Sequence, residues 1–138
     1  DLTSEMVWLD PLQCITAEGS LPTGSNTLLK LSRLPAILPG PGTYTGKLIN
    51  ELFARANLRP TVAMQTNYLE TIRMLVAAGY GWSALPATMI ADDLQPIVGA
   101  SLKAPSRALG LVTHPRHTPS AAANAFISVV REFADSLS

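Results

Sequence analysis

The feature that most constrains the fold is an alternation of short apolar runs and amphipathic segments between Leu34 and Leu85. The apolar run Leu34 to Leu38 predicts a buried strand, and Thr61 to Gln65 and Gly81 to Pro86 predict two more. Strands and helices that alternate through short links form a parallel sheet with helices on its faces. The two intervening segments each repeat apolar residues at the spacing of a helix face: Ile49, Leu52, Phe53 and Ala56, then Leu69, Ile72, Leu75 and Val76.

The ends of these two helices carry recognisable capping residues. Asn57 suits the position just after the first helix, and Pro60 prevents that helix from continuing. Asn67 followed by Glu70 resembles a capping box at the start of the second helix. Gly79 is the residue at which that helix is expected to end.

The sequence before this alternation predicts extended structure. Glu5 to Leu9 and Leu12 to Thr16 are rich in strand-forming residues, and Pro11 between them predicts two strands broken at the proline. Ala17 to Asn26 consists of turn formers and predicts a loop.

The sequence after the alternation predicts one more strand and a helix. Arg107 to Thr113 has the composition of a strand, and Thr118 and Pro119 suit the N-cap and the first position of a helix. Five apolar residues line one side of that helix: Phe126, Val129, Val130, Phe133 and Leu137.

Composition excludes several classes of function. The chain has 138 residues, of which 47% are hydrophobic and 14% charged, so it can bury a core. Its ten basic and ten acidic residues give no net charge and no basic cluster, so this chain is not expected to bind nucleic acid. Cys14 is the single cysteine, which fits a reducing compartment, and no apolar run is long enough for a membrane span.

Three features of the sequence could in principle have a chemical role, and none of them predicts an enzyme. The stretch "GPGTYTGKL" resembles a phosphate-binding P-loop, but Pro41 and Leu48 stand where that loop needs a glycine and a hydroxyl residue. His114 and His117 have no third ligand in sequence, so they do not predict a metal site. Cys14 lies among apolar residues and predicts a buried, inert thiol. No cofactor and no metal ion are therefore expected.

A small-molecule site is predicted where the sheet strands end. The loops Pro39 to Thr45 and Gln65 to Tyr68 follow two predicted parallel strands and lead into helix N-termini. Ligands of open α/β sheets bind at this edge, and free N–H groups at helix starts favour polar oxygens. The same side chains could instead serve only as caps. The candidate residues are Thr43, Tyr44, Thr45, Thr66, Asn67 and Tyr68.

The stretch "TNYLETIRMLVAAGYGWSALP", Thr66 to Pro86, resembles the effector-binding domain of LysR-type transcriptional regulators. Members typically carry a similar helix ending in "LVAAG", followed by a short strand ending in "LP". The segments "LPAILPGPGTYTGKLINELFARANLRP" and "ALGLVTHPRHTPSAAANAFISVVREF" resemble that family too, in the same order. The resemblance covers the chain from about Met6 to Phe133.

The resemblance implies an α/β fold of the periplasmic-binding-protein-like type II class, built from two Rossmann-like, three-layer subdomains. Residues 1–104 would hold the second subdomain with a crossover at its start. Residues 105–138 would hold the strand and helix that return to the first subdomain, whose front half is absent. An N-terminal helix-turn-helix, also absent, would carry DNA binding.

The resemblance also implies a function. The chain would be the effector-sensing region of a bacterial, cytoplasmic, homo-oligomeric regulator, with no catalytic role and no membrane partner. In family members the two loops named above contact a small-molecule effector, which matches the six candidate residues. The alternative is a fragment of a periplasmic solute-binding protein, a class that shares the two-lobed fold.

One consequence concerns the end of the chain. If the sheet that the last helix covers is absent, its apolar side chains would face water, and such patches are rarely left exposed. We expect the chain to hide this face, either by docking the helix on its own subdomain or by pairing with a second copy.

Overall fold

The computed structural model describes residues 1–17, 19, 25–99, 102–103 and 105–137. The chain forms two compact units: a central unit, Pro11–Pro105, and a terminal unit, Asp1–Asp10 with Ser106–Ser138. The loop expected over Ala17 to Asn26 lies largely outside the described residues. The elements are β1 (Thr3–Ala17), α1 (Thr27–Arg33), β2 (Pro35–Leu38), α2 (Tyr44–Ala54), β3 (Thr61–Gln65), α3 (Leu69–Ala77), β4 (Ser83–Pro86), a 3-10 turn (Ala87–Met89), β5 (Leu94–Pro96), β6 (Ser106–Thr113) and α4 (Ala121–Ser136).

The central unit is built on a mixed sheet. β2 and β3 pair in parallel, and a parallel bridge joins Ala36 of β2 to Trp82, next to β4. The Ile37 N–H donates to the Trp82 carbonyl over 2.9 Å. β1 then runs antiparallel to both β4 and β5. The strand order in this unit is therefore β3-β2-β4-β1-β5, and the predicted parallel arrangement of β2, β3 and β4 is confirmed.

Side chains that alternate along these strands form two cores, one on each face of the sheet. Cys14 and Ile15 are neighbours in β1, yet Cys14 packs with Phe53 of α2 on one face, while Ile15 packs with Ile72 of α3 on the other. Helices α1 and α2 cover the first face and α3 covers the second. This is the three-layer arrangement that the sequence predicts.

Two predicted element boundaries at the start of the chain are wrong. β1 is one strand of 15 residues and not two, because it continues through Pro11. Pro11 lies at the boundary between the units, directly before Leu12, the first residue paired with β4. Its missing N–H therefore falls where β1 changes partners.

The short elements α1 and β5 were not predicted, since seven and three residues carry little periodicity.

Two helix starts also differ from the prediction. Asn67 does not cap α3: Tyr68 is the N-cap residue, and no side chain caps this helix. Helix α4 starts two residues later than predicted, with Ser120 as N-cap and its Oγ accepting from Ala123 N–H over 3.1 Å. The predicted end of α3 is confirmed, because Gly79 (φ 85°) directly follows the C-cap Ala78 in the left-handed conformation. Asn57 (φ 55°) is left-handed too, but α2 ends earlier than predicted, at Ala54 with Arg55 as C-cap, so Ala56 is not part of the helix.

The terminal unit contains a strand pair and one helix. β6 pairs with β1, and a Cβ on Gly110 would lie 2.3 Å from the carbonyl oxygen of Glu5, so only glycine allows this approach. Ala134 is the buried apolar residue of α4, and Trp8 meets Phe133 edge-on with ring centroids 6.2 Å apart. No helix among the described residues is long and apolar enough to cross a membrane.

The apolar side of α4 remains largely in water. More than half of the surface of four of its apolar side chains is exposed: Phe126, Val129, Phe133 and Leu137. Docking of this helix on the subdomain and pairing with a second copy both stay predictions.

Candidate functional site

The two loops that the sequence singled out lie side by side at the carboxyl ends of β2 and β3. The Thr66 N–H donates to the Leu38 carbonyl over 3.2 Å, which extends the parallel pairing into the loops. The loop after β2 leads into α2 and the loop after β3 leads into α3. All six predicted residues are thus brought to one edge of one sheet, within the central unit.

Gly40 lies at the centre of the loop after β2 and is buried. Its N–H donates to Asn67 Oδ1 over 2.8 Å. Its carbonyl oxygen accepts from Thr43 twice, from the N–H over 3.0 Å and from the hydroxyl over 2.7 Å. A Cβ on Gly46 would lie 2.1 Å from this same carbonyl, so the start of α2 can approach the loop only because residue 46 is glycine. Gly40 lies in the predicted loop Pro39 to Thr45 but is not among the six candidate residues, although the Pro-Gly pair after the strand is a recognisable loop signal.

Thr43 is the N-cap of α2. Its Oγ1 accepts from Gly46 N–H over 3.0 Å while donating to Gly40. The Thr43 hydroxyl proton is therefore already used in the hydrogen bond to the Gly40 carbonyl. This cap secures the helix start, which carries the positive end of the helix dipole.

The remaining candidate residues differ in exposure. Thr45 is buried in the first turn of α2, whereas Tyr44 and Tyr68 are 53% and 76% exposed. Thr66 is half-buried, and its Oγ1 accepts from the Tyr68 N–H over 3.4 Å. Two exposed phenol rings and two threonine hydroxyls thus flank the two helix starts.

Charge near the site comes from the first turns of the helices. Lys47 is exposed in α2. Glu70 in α3 accepts from Arg73 Nε over 2.9 Å, and Arg73 also pairs with Asp93. The hydrogen bond from Arg73 to Glu70, and then the one to Asp93, raise the pKa of the guanidinium. The acidic group at the start of α3 is therefore paired with a cation.

This arrangement provides groups that bind polar ligands. The six side chains include hydroxyls, an amide and aromatic rings. In the described part of the chain no three His, Cys, Asp or Glu residues come together as a metal site. That the six residues contact an effector stays a prediction.

The cysteine and the two histidines lie outside the two loops, in surroundings that suit a structural role. Cys14 is 1% exposed, and burial raises the pKa of its thiol to about 12, as suits an inert core residue. His114 and His117 meet edge-on with ring centroids 4.8 Å apart, and His114 Nδ1 accepts from the Arg116 N–H over 3.2 Å. Neither group lies in the loops of the candidate site.

The sequence of residues 1–135 matches the model of the LysR substrate binding domain. The chain belongs to this family. The predicted LysR-type effector-binding domain is thereby confirmed, and the comparisons do not support the alternative of a periplasmic solute-binding protein. The family is a regulatory domain of transcription factors.

A sequence relative and two solved structures extend this finding. YcgK of Bacillus subtilis (strain 168), described as an uncharacterized HTH-type transcriptional regulator, is 33% identical over 101 residues, which are 72% of this chain and 31% of YcgK. HinK, a LysR family regulator from Pseudomonas aeruginosa, superposes with a TM-score of 0.80 at 19% identity, over 99% of this chain and 50% of HinK. The effector binding domain of QuiR, in complex with shikimate, gives 0.80 at 20% identity, over 99% of this chain and 66% of that domain.

These likenesses confirm the predicted α/β fold of the periplasmic-binding-protein-like type II class. The same comparisons show how much of each relative's length this chain matches. The chain spans under one third of YcgK, half of HinK and about two thirds of the QuiR domain.

Proposed function

We propose that this chain is the effector-sensing region of a bacterial LysR-type transcriptional regulator, and that it binds a small molecule at the carboxyl edge of β2 and β3. The observation that carries the proposal is the joining of two helix starts at that edge through Gly40 and Asn67. Helix starts present N–H groups to polar ligand atoms, and two of them at one edge can hold one ligand from two sides. The proposed contact residues are Thr43, Tyr44, Thr45, Thr66, Asn67 and Tyr68.

The groups at this edge favour a small polar molecule that carries several oxygen atoms. The two helix starts and the hydroxyls of Thr45 and Thr66 suit hydroxyl and carboxylate oxygens, while Tyr44 and Tyr68 can pack against a ring. No arginine is among the six residues, so no guanidinium clamps a carboxylate. QuiR was solved with shikimate, a molecule of this class, which makes shikimate a suitable first probe.

The same proposal assigns the remaining parts of the chain. Residues 1–104 would form the second subdomain with its crossover, and residues 105–138 the strand and helix that belong to the first. Effector binding would favour one arrangement of subdomains and so alter DNA binding through a helix-turn-helix that is not in this chain. The regulator would act as a cytoplasmic homo-oligomer, without catalysis and without a membrane partner.

The effector site can be tested on a protein extended at its amino end to the length of the relatives' effector-binding domain. We expect a thermal-shift screen of small hydroxy acids, beginning with shikimate, to find a ligand whose affinity calorimetry can measure. Thr43→Ala and Asn67→Ala should then weaken binding between a few-fold and about a hundred-fold, since a lost hydrogen bond costs about 0.5–1.5 kcal/mol, or up to about 3 for a charged ligand.

Two controls make that result interpretable. Thr3→Ala and Asn50→Ala are matched substitutions at exposed positions outside the two loops, and we expect both to leave the affinity unchanged. Thermal unfolding of every variant separates lost contacts from a lost cap, which is worth about 1 kcal/mol. Unchanged affinity in both loop variants would place the effector elsewhere.

The regulatory part of the proposal has its own test. The reading frame upstream of the codon for Asp1 should encode a winged helix-turn-helix. A secretion signal directly upstream would instead contradict a cytoplasmic regulator.

A further inference from the structure

We propose that Asn67 is a positioning residue: its side-chain amide holds the loop between β2 and α2 in place through the N–H of Gly40. The role rests on the effector site proposed above, and it gives Asn67 a second way to act there: through the loop, in addition to its proposed contact with the effector. Its sequence position suggested a helix cap instead, and that cap is not formed.

The contact that carries this inference joins two distant parts of the chain. Asn67 Oδ1 accepts from Gly40 N–H over 2.8 Å, and the two residues are 27 positions apart. Gly40 is buried, so its N–H has little access to water as a replacement partner. An exposed side chain of one loop thereby satisfies a buried backbone group of the other.

The remaining contacts of Gly40 transmit this restraint to α2. The Gly40 carbonyl accepts from both the N–H and the hydroxyl of Thr43, the residue that caps α2. On the other side, Gly46 in the first turn of α2 lies against the same carbonyl. A shift of Gly40 would therefore disturb the cap and the first turn of α2 together. The placement of that helix start depends on a group supplied by the neighbouring loop.

Two side chains pack closely around Gly40 and restrict its position. A Cβ built on Gly40 would lie 3.2 Å from Gln65 Nε2 and 3.3 Å from Asn67 Oδ1. Both side chains come from the end of β3 and its following loop, and they close over the Gly40 backbone. The two loops thus form one preformed frame, in which ligand-binding groups keep their places before any ligand arrives.

The decisive measurement is amide hydrogen exchange of Gly40 by NMR in the 138-residue chain. The exchange rate of Gly40 is divided by that of Ile37, whose N–H donates to Trp82 in the core, so that changes in global stability cancel. We expect Asn67→Ala to raise this ratio by about 2- to 13-fold, the equivalent of one hydrogen bond. Asn67→Asp keeps an acceptor at the same place, and we expect it to retain the wild-type ratio or to lower it.

Matched variants and a second reporter separate positioning from a general structural effect. Asn50→Ala and Asn50→Asp make the same two changes at an exposed site of α2, and we expect neither to alter the Gly40 ratio. In Asn67→Ala the amide signals of Thr43 and Gly46 should shift, and in Asn67→Asp they should remain near their wild-type positions. The proposal is overturned if Asn67→Ala leaves the Gly40 ratio unchanged, or if Asn67→Asp behaves as the alanine variant does.

Failure of the effector proposal would look different. A shikimate titration of the extended protein tests binding alone. If no small hydroxy acid binds, the effector proposal is weakened, while the exchange ratio still decides whether Asn67 positions the loop.

Discussion

The central unit and the terminal unit differ in how much of their apolar surface they bury. Among the described residues, the buried apolar side chains lie in the central unit, with the exception of Ala134. The sheet of the central unit has helices on both faces, so each strand places residues into one of two cores. The terminal unit has two paired strands and one helix, and its apolar residues Phe126, Val129 and Phe133 stay more than half exposed. Two strands with one helix provide too few elements to enclose a core.

This difference indicates that buried apolar surface contributes more to the stability of the central unit than to that of the terminal unit. The two cores of the central unit are formed by residues of its own 95-residue segment, Pro11–Pro105. The terminal unit has an exposed apolar face on α4, and we expect another surface to cover it. Each unit has one tryptophan, Trp82 in the central core and Trp8 in the terminal unit, so variants that keep only one of them report on one unit each.

The largest expected effect comes from truncating an aromatic ring in the central core. Phe53 is fully buried and stacks on Trp82 with ring centroids 5.5 Å apart. We expect Phe53→Ala to lower the free energy of unfolding by about 3–5 kcal/mol. Phe133→Ala is the matched change in the terminal unit, where the ring is 56% exposed, and it should cost about 1 kcal/mol or less. The measurement is urea unfolding followed by fluorescence, and equal losses in both variants would contradict the contrast between the units.

The second prediction concerns an ion pair of the terminal unit whose carboxylate is buried. Arg107 Nε donates to Asp10 Oδ2 over 3.0 Å, and the Arg107 terminal nitrogen contacts the same oxygen, while Asp10 is 6% exposed. Arg107→Ala would leave a buried carboxylate unpaired, so we expect a loss of about 3–5 kcal/mol in the free energy of unfolding. The double variant Asp10→Leu with Arg107→Met removes both charges and should recover most of that loss.

The control for this prediction is an exposed pair in the same unit. Arg131 Nε donates to Glu5 Oε1 over 3.1 Å, and both side chains are about half exposed. The hydrogen bond from Arg131 lowers the pKa of the Glu5 carboxyl. The contribution of this pair is therefore present at neutral pH and is lost as the pH falls and Glu5 takes up a proton. We expect Arg131→Ala to matter far less than Arg107→Ala and to lose its effect in high salt.

The third prediction asks what covers the apolar face of α4. Burying one large apolar side chain is worth about 1.5–3 kcal/mol, or about 10- to 150-fold in an association constant. If a second copy covers the face, light scattering should show association that grows with concentration. Phe126→Asp and Phe133→Asp should then each weaken it by a factor in that range. A concentration-independent monomer, indifferent to both substitutions, would show that copies of the chain do not pair through this face.

The smallest effect is expected inside the central unit, at a group that the core does not satisfy. Ser83 is fully buried, and its Oγ has no hydrogen-bond partner within the part of the chain that the structure describes. Ser83→Ala should therefore stabilise the chain by about 1 kcal/mol. Ser32→Ala is the matched control, because the Ser32 hydroxyl donates to the Leu29 carbonyl over 2.7 Å and its loss should destabilise by a similar amount. A destabilised Ser83→Ala variant would show that this hydroxyl has a partner after all.

Local sequence patterns predicted much of the fold because the central unit obeys them closely. The alternation from Leu34 to Leu85 gave β2, α2, β3, α3 and β4 in the right order, and Thr61–Gln65 has the predicted bounds. The left-handed residues Asn57 and Gly79 fall where the cap signals predict them. These features depend on residues close in sequence, so a pattern within one short window is sufficient to show them.

The errors lie where distant residues decide. Pro11 predicts a break in β1, but pairing with β4 on its carboxyl side keeps the strand continuous. Asn67 has the sequence pattern of a helix cap, yet its side-chain oxygen accepts a hydrogen bond from Gly40 of another loop. The short elements α1 and β5 form as parts of the central unit and have almost no periodicity of their own.

The sequence by itself thus determined the class of the chain: an α/β sheet with helices on both faces, a loop pair at its carboxyl edge, and the LysR family. It did so because apolar periodicity, capping residues and a family's ordered motifs are all local properties of the chain. Only the tertiary structure decided which side chains hold that loop pair together and which apolar residues stay in water. Those outcomes depend on contacts between residues far apart in sequence, such as Gly40 with Asn67 and Trp8 with Phe133. A local pattern does not specify such contacts, because their formation depends on the packing of the whole unit.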